Sequence, residues 1–465
     1  MSDPRPAPEA STATAAPPPS GGRAPLPRAA WALGAGGLAL GLVVGGCSGL
    51  GAGALGGALV AGAAGPRVAS LLGGDQRSVA EALPEELPRL RALVAEERGL
   101  DWEEEVPVHA LDDEAFEAAL AGDDGDGGGG GEASGSGADE DEWPVGLDDP
   151  ADGRAETYAA LGLTPSATAY QEAWESGDSA VVGFYDSQTR EVVLRGVGWT
   201  PVVEETLVHE LVHALDDQHV DLDAPLEDGL SPEEVTAHAA VVEGDAERVT
   251  WAWYDGLDDE QLEEYDLAWE GSGDDEGAGA SADAAHDPLV EALTLFPYDY
   301  GYVAVDAVDE VRGPAGVTAL LEDPLTTTEQ VLAAAPAPSA SSGLAAPVDV
   351  AAPAAPEGAE VLGTGRLGLF PLSLLPLADE AEDEGYFLED DVVTFAWAGD
   401  AWTTWVDPQD EGRACTALLV RLDDARGRDD LADDLDDWVA GAGAVGASLA
   451  PVGESDLELR GCGDR

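Results

Sequence analysis

At 465 residues the chain is long enough for roughly two or three compact units, and it carries 95 acidic side chains against 20 basic ones, a formal net charge of −75. Every basic residue is arginine. So acidic a surface repels nucleic acid and anionic lipid headgroups, which excludes both as partners of the folded part. It also repels itself until salt near 1 M shortens the screening length to about 3 Å, so the composition points to a high-salt environment.

Residues 1–28 are rich in Pro, Ala and Ser without a pattern that would build a core, and they read as a disordered tail. Residues 29–65 carry no charge. That run is long enough to cross a bilayer, which takes about 20 apolar residues. Arg5, Arg23 and Arg28 precede it, an arrangement that keeps the N-terminus in the cytoplasm and places the rest outside. A second kind of anchor fits the same run, because "LVVGGC" ends at Cys47 as a loose lipobox for lipid attachment. Either anchor makes the bulk of the chain extracytoplasmic, at the cell surface. The two other cysteines, Cys415 and Cys462, are then either a disulfide of an exported domain or two independent thiols.

Beyond the anchor, "SVAEALPEELPRLRALVAEERG" predicts a helix within an N-terminal helical segment, 66–121, and residues 122–152 are an acidic, Gly-rich linker. A central domain, 153–332, contains a flexible acidic insert at 271–286. In it, "AVVGFYDSQTREVVLRG" reads as a β-hairpin of two alternating runs around a polar turn. Thr200-Pro201 opens a helix with proline in its first position, and Ser231 with Glu234 forms a capping box for the next. That second helix has the apolar stripe Val235, Ala239, Val242, Ala246, Val249 and Trp253. A Pro/Ala linker at 333–360 leads to a C-terminal α+β segment, 361–465, where "ACTALLVRL" predicts a strand. There "DDLADDLDDWVAG" predicts a helix that buries Leu431, Leu435 and Trp438. The fold class is α+β, with helices dominant around the histidines.

Three of the six histidines lie in "TLVHELVHALDDQH". His209 and His213 are four residues apart, so on a helix they project from one face and can share a Zn²⁺ ion. Glu210 follows the first of them, beside the metal rather than on it, where a carboxylate can take a proton from an activated water. This is the HExxH arrangement, and its uncharged neighbours Leu211, Val212, Ala214 and Leu215 suit a buried active-site helix. A catalytic zinc needs a third protein ligand. His219 has the metzincin spacing, but Asp216 stands where that class turns on glycine, and the only methionine is Met1, which leaves no methionine turn. Glu243, in "AVVEGDAERV", is the favoured alternative: it sits mid-helix at the edge of the apolar stripe, and Gly244 beside it permits close helix approach. Asp245 and His238 lie near the same stripe as candidate supports for the imidazoles, although a satisfied core histidine is the plainer reading of His238. His219 is left as a polar residue at a helix end.

The segments "GFYDSQTREVVLRG", "TLVHELVHALDDQHVDL", "AVVEGDAERV", "LFPYDYGYV", "LTTTEQVL" and "AWAGDAW" occur in this order. Together they resemble a family of zinc metallopeptidases found in surface proteins of haloarchaea and in bacteria. The resemblance implies a gluzincin-like zincin fold with His209, His213 and Glu243 on the zinc and Glu210 as general base. It also singles out Tyr298, whose hydroxyl would donate to an oxyanion, its other reading being an amphipathic core aromatic. Two positions depart from the family: Asp216 replaces a usual Gln, and Ala333-Ala334 replaces a His-Pro pair, which leaves the chain after residue 332 without an anchor in the resemblance. The function expected is a membrane-anchored, extracytoplasmic zinc peptidase acting on peptides or proteins. The alternative is a non-catalytic surface protein with a structural metal or a peptide-binding cleft, and Glu210 separates the two, because a closed structural site has no use for a base.

Overall fold

A computed structural model of the chain describes residues 77–120, 153–176, 181–196, 198–227, 230–273, 287–334, 346–378, 396–441 and 444–465, and a short antiparallel ladder between Val43–Val44 and Gly57–Ala58. The tail 1–28, the rest of the apolar run 29–65 expected to be an anchor, the acidic linker and most of the 271–286 insert lie outside the described residues. Among the described residues no helix is long and apolar enough to cross a membrane. The fold is α+β, as its composition of helical stripes and alternating strands predicts.

The first helix, α1 (Val79–Arg98), starts at a capping box in which Ser78 and Glu81 satisfy each other's backbone donors, and Gly99 ends it in the left-handed region. Strand β1 (Val108–Leu111) follows. After a short helix over Asp113–Leu120 come helix α2 (Arg154–Leu161) and a helix over Ala167–Ser176, then β2 (Gly183–Asp186) and β3 (Glu191–Arg195). The hairpin turn is held by Asp186, whose carboxylate accepts from Gln188 N at 2.8 Å and Thr189 N at 3.2 Å. Strand β3 pairs antiparallel with β2 and parallel with β1, so the sheet order is β1-β3-β2. One core joins α1 and this sheet to the next helix through Val94, Leu194, Leu207 and Leu211.

That helix, α3 (Pro201–Asp217), begins where Thr200 accepts a hydrogen bond from Val203 N and Pro201 takes the first turn. It is buried from Val202 to Asp216, polar side chains such as Glu204, His209, Glu210, His213 and Asp216 included. Helix α4 (Pro232–Asp255) has the Ser231–Glu234 capping box, and every member of its apolar stripe is buried. Helix α5 (Pro288–Arg312) starts from Asp287, which caps Leu289 and Val290, and α6 (Pro314–Glu322) follows directly. Where α4 and α5 cross, Gly244 faces Gly301: a Cβ on Gly244 would stand 2.2 Å from the Gly301 carbonyl carbon. Only glycine permits backbones that close.

The C-terminal strands are β4 (Val361–Gly365), β5 (Trp397–Asp407), β6 (Asp410–Leu422), β7 (Val445–Val452) and β8 (Asp456–Asp464), in the antiparallel order β4-β5-β6-β8-β7. Cys415 and Cys462 are directly opposite on β6 and β8, and a disulfide joins them. Helix α2 lies on this sheet, with Thr157 Oγ1 2.6 Å from Thr404 Oγ1 and Trp438 Nε1 donating to Leu161 O. The helix read over "DDLADDLDDWVAG" is two pieces, Ala425–Asp434 and Asp436–Gly441, with Leu431, Leu435 and Trp438 buried as expected.

Candidate metal centre

Helix α3 projects His209 and His213 from one face, one turn apart, and α4 brings Glu243 against them. Nε2 of His209 stands 3.1 Å from Oε2 of Glu243, and Nε2 of His213 stands 3.4 Å from the same oxygen. Ligands at about 2.0–2.1 Å around a tetrahedral zinc are about 3.3 Å apart. The two contacts match that edge length, and one donor atom from each residue lies within 4.8 Å of the others. The imidazoles meet edge to face, ring centres 4.8 Å apart. The three residues could hold a metal ion, and they are at most 1 % exposed.

The polar accounting of the site supports that fit. Both carboxylate oxygens of Glu210, both ring nitrogens of His213 and the Tyr298 hydroxyl are buried without an aligned hydrogen-bond partner among the described residues. Buried polar groups of a folded protein are almost always paired. A divalent cation would engage one imidazole nitrogen on each histidine together with Glu243, and Glu210, which feels the charges of His209 and Glu243, would be available to take a proton there. Burial pushes the Glu243 carboxyl up, but the two imidazoles outweigh it and bring the group down to about 2. Burial works against a charged His209, and the carboxylates of Glu243 and Glu247 still hold the imidazole well above its ordinary value. Burial, with the Glu243 charge, raises Glu210 well above the carboxylate range. Burial is the largest influence on all three groups; beyond it, Glu243 and His209 favour each other's charged forms, while the Glu243 charge disfavours an ionised Glu210.

The structure brings together all five residues singled out from the sequence. Glu210 lies on the ligand helix at 0 % exposure, and Tyr298, at 2 %, sits on α5 with its ring centre 6.1 Å from that of His209. Burial first, and then the Glu243 and Glu210 charges, hold the Tyr298 phenol well above its usual range. His219 is elsewhere, since α3 ends at Asp217 and the ring Nε2 of His219 meets the Asp101 carbonyl at 2.9 Å.

Of the two candidate supports read from the sequence, Asp245 requires correction and His238 keeps its plainer reading. Asp245 turns away from the imidazoles to pair with Arg98 and Arg248. His238 Nε2 pairs with the Leu222 carbonyl at 3.0 Å, as a satisfied core histidine does. The group that reaches an imidazole is Glu247, whose Oε1 stands 3.5 Å from Nδ1 of His209. Its signal was its place four residues past Glu243, on the same helix face. Compared with known protein families, with curated proteins and with solved structures, the chain finds no match.

Proposed function

We propose that the chain is a zinc-dependent peptidase with a gluzincin-like zincin fold, anchored in the membrane through residues 29–65 and acting on peptides or proteins outside the cell. The observation that carries this reading is Glu210. Its carboxylate is buried beside two imidazoles and a third ligand, with no aligned side-chain partner for either oxygen and only a Tyr185 backbone N–H acting on it. A closed structural site gains nothing from such a group, and a hydrolytic one requires it. The Cys415–Cys462 disulfide supports an oxidising compartment.

His209, His213 and Glu243 would hold the zinc. Bound there, the ion supplies the charge that acidifies a water molecule and polarises a peptide carbonyl. Glu210 takes the proton released as the water oxygen adds to the carbonyl carbon, then delivers it to the departing amide nitrogen. The Tyr298 hydroxyl donates to the oxygen on which negative charge develops.

Glu210→Gln tests the assignment. The variant keeps its zinc and its fold while peptide turnover falls by about 10²-fold or more. Normal turnover removes Glu210 from catalysis. One observation favours a second reading, a non-catalytic surface protein with a structural metal: His209, Glu210 and His213 are all 0 % exposed. A zinc-loaded wild-type chain with no chelator-sensitive peptidase activity selects that reading.

A further inference from the structure

Arg98, the last residue of α1, is 1 % exposed and lies among four helices. Its NH2 group stands 2.7 Å from Oδ1 of Asp216 on α3, to which its Nε also donates at 2.9 Å, and the same Nε lies 2.6 Å from Oδ2 of Asp245 on α4 as an ion pair without an aligned hydrogen bond. It also approaches the Thr318 hydroxyl of α6 at 3.5 Å. Arg248, 6 % exposed, pairs with Asp245 Oδ1 at 2.9 Å and approaches Asp309 of α5 at 3.7 Å. The inner four groups, Arg98, Arg248, Asp216 and Asp245, sum to no net charge. Asp216 is three residues past His213, and Asp245 two past Glu243, so each ligand helix carries one carboxylate of the group just beyond its ligand.

Such an arrangement is poorly explained by stability alone. Removing two charges from water costs about as much as their attraction returns, and apolar residues of like volume often serve stability better. The best-attested use of buried ions is to fix register, since only one alignment of the helices satisfies them. The fork of an arginine suits this task, because its geometry is rigid and it has donors for two carboxylates at once.

We propose that Arg98 is a positioning residue for the metal centre: its guanidinium joins Asp216 to Asp245 and so holds the His209–His213 pair in register with Glu243. This rests on the metal-site reading above. Without the fork the two helices keep their apolar packing but lose the contact that sets how far one slides past the other. A shift of a few tenths of an ångström is enough to spoil three ligand distances together.

The experiment uses the full-length chain in detergent and high salt. Zinc affinity is read by competition, the visible spectrum of the cobalt(II)-loaded chain reports ligand geometry, and circular dichroism reports the fold. Arg98→Lys keeps the charge and removes the fork; Arg98→Met with Asp216→Asn removes one cation and one anion together and leaves the Asp245–Arg248 pair in place. Both variants are expected to fold, to bind zinc about 10- to 100-fold more weakly, as loss of a group supporting metal ligands does, and to show altered cobalt spectra. Wild-type affinity and spectrum in a folded variant overturn the proposal while leaving the metal site standing. A wild-type chain that binds no zinc overturns both together. If neither variant folds, Arg98 serves the fold itself and the positioning role falls.

Discussion

Nδ1 of His209 stands 3.5 Å from Oε1 of Glu247, while Nε2 of the same ring faces Glu243. One helix therefore addresses both nitrogens of one imidazole, through glutamates four residues apart. At 3.5 Å the carboxylate is in ion-pair reach without an aligned hydrogen bond; closed to hydrogen-bond distance, such an acceptor on Nδ1 would fix the tautomer with a free Nε2 and raise the basicity of that nitrogen towards a metal. Glu247→Ala should weaken zinc binding by about 10- to 100-fold with the fold intact. Glu247→Gln, which keeps an acceptor, should lose less. Zinc competition on both variants checks the order, and unchanged binding in Glu247→Ala denies the carboxylate any part in the site.

Glu243 and His219 can be ranked in the same assay. Glu243 is within 3.4 Å of both imidazoles, whereas His219 pairs with a backbone carbonyl outside the site. Glu243→Ala should cost more than the roughly 100-fold of a supporting group, and His219→Ala should leave affinity near wild type. The reverse order would return the third ligand to the metzincin position.

Gly244 sets two effects against each other. Alanine is preferred over glycine in a helix by about 1 kcal/mol, so propensity alone makes Gly244→Ala stabilising. The added Cβ would stand 2.2 Å from the Gly301 carbonyl carbon, which is backbone and has no rotamer to change. Overpacking of this kind costs about 1–3 kcal/mol, and here it also pushes Glu243 away from the imidazoles. A lower melting temperature and weaker zinc binding are expected. A more stable variant would show that the helices part without cost.

Much of this site was legible in the sequence because its cues are local. His209, Glu210 and His213 lie on one helix turn after turn, and Ser231, Pro232 and Glu234 fix where the next helix begins. Glu243 was reachable because the first two ligands require a third and the stripe places it at a helix edge. Arg98 was not legible. It lies more than a hundred residues before Asp216 and Asp245, and an arginine at the end of a helix is ordinarily a solvated charge. The packing of α2 on the C-terminal sheet was hidden for the same reason, since Thr157 and Thr404 have no pattern in common. Asp245 was misjudged because sequence fixes the helix face only to within a residue, and two arginines claimed the side chain. The fracture at Leu435 lies between two acidic, helical-looking runs that a periodicity does not separate.

Glu233 gives a pH dependence outside the candidate metal centre. It is 3 % exposed and accepts hydrogen bonds from Thr328 N at 2.7 Å and Thr328 Oγ1 at 2.9 Å. Burial pushes its carboxyl up to about 8; the Thr328 donors and Arg366 oppose this, and Asp400 adds to it. The folded state thus holds a proton between about pH 4.5 and 8 that the unfolded chain has released. The stabilisation is complete below the lower limit and is lost as pH rises through the upper one. Melting temperatures of the metal-free chain at fixed salt should fall across that window more steeply in wild type than in Glu233→Gln, which mimics the protonated form. Parallel curves would assign the slope to other groups.

The excess of acid bears on stability through salt. With 95 acidic and 20 basic residues, most carboxylates have no cation to face, whatever the fold. Their mutual repulsion disfavours the compact state, and its reach is set by ionic strength: the screening length falls from about 10 Å at 0.1 M to about 3 Å at 1 M. The buried pairs of Arg98 are shielded from this screening, so added salt removes repulsion at the surface while leaving the internal network in force. The melting temperature should therefore rise steadily from 0.1 M to 1 M NaCl and flatten above it, once charges a few ångströms apart no longer interact. An uncharged osmolyte at equal osmolality raises it less, because exclusion from the surface favours compactness without touching the charges. Thermal melts in both series decide the matter: a midpoint that stays flat or falls with NaCl, or that sucrose raises equally, means the charge is not what salt relieves.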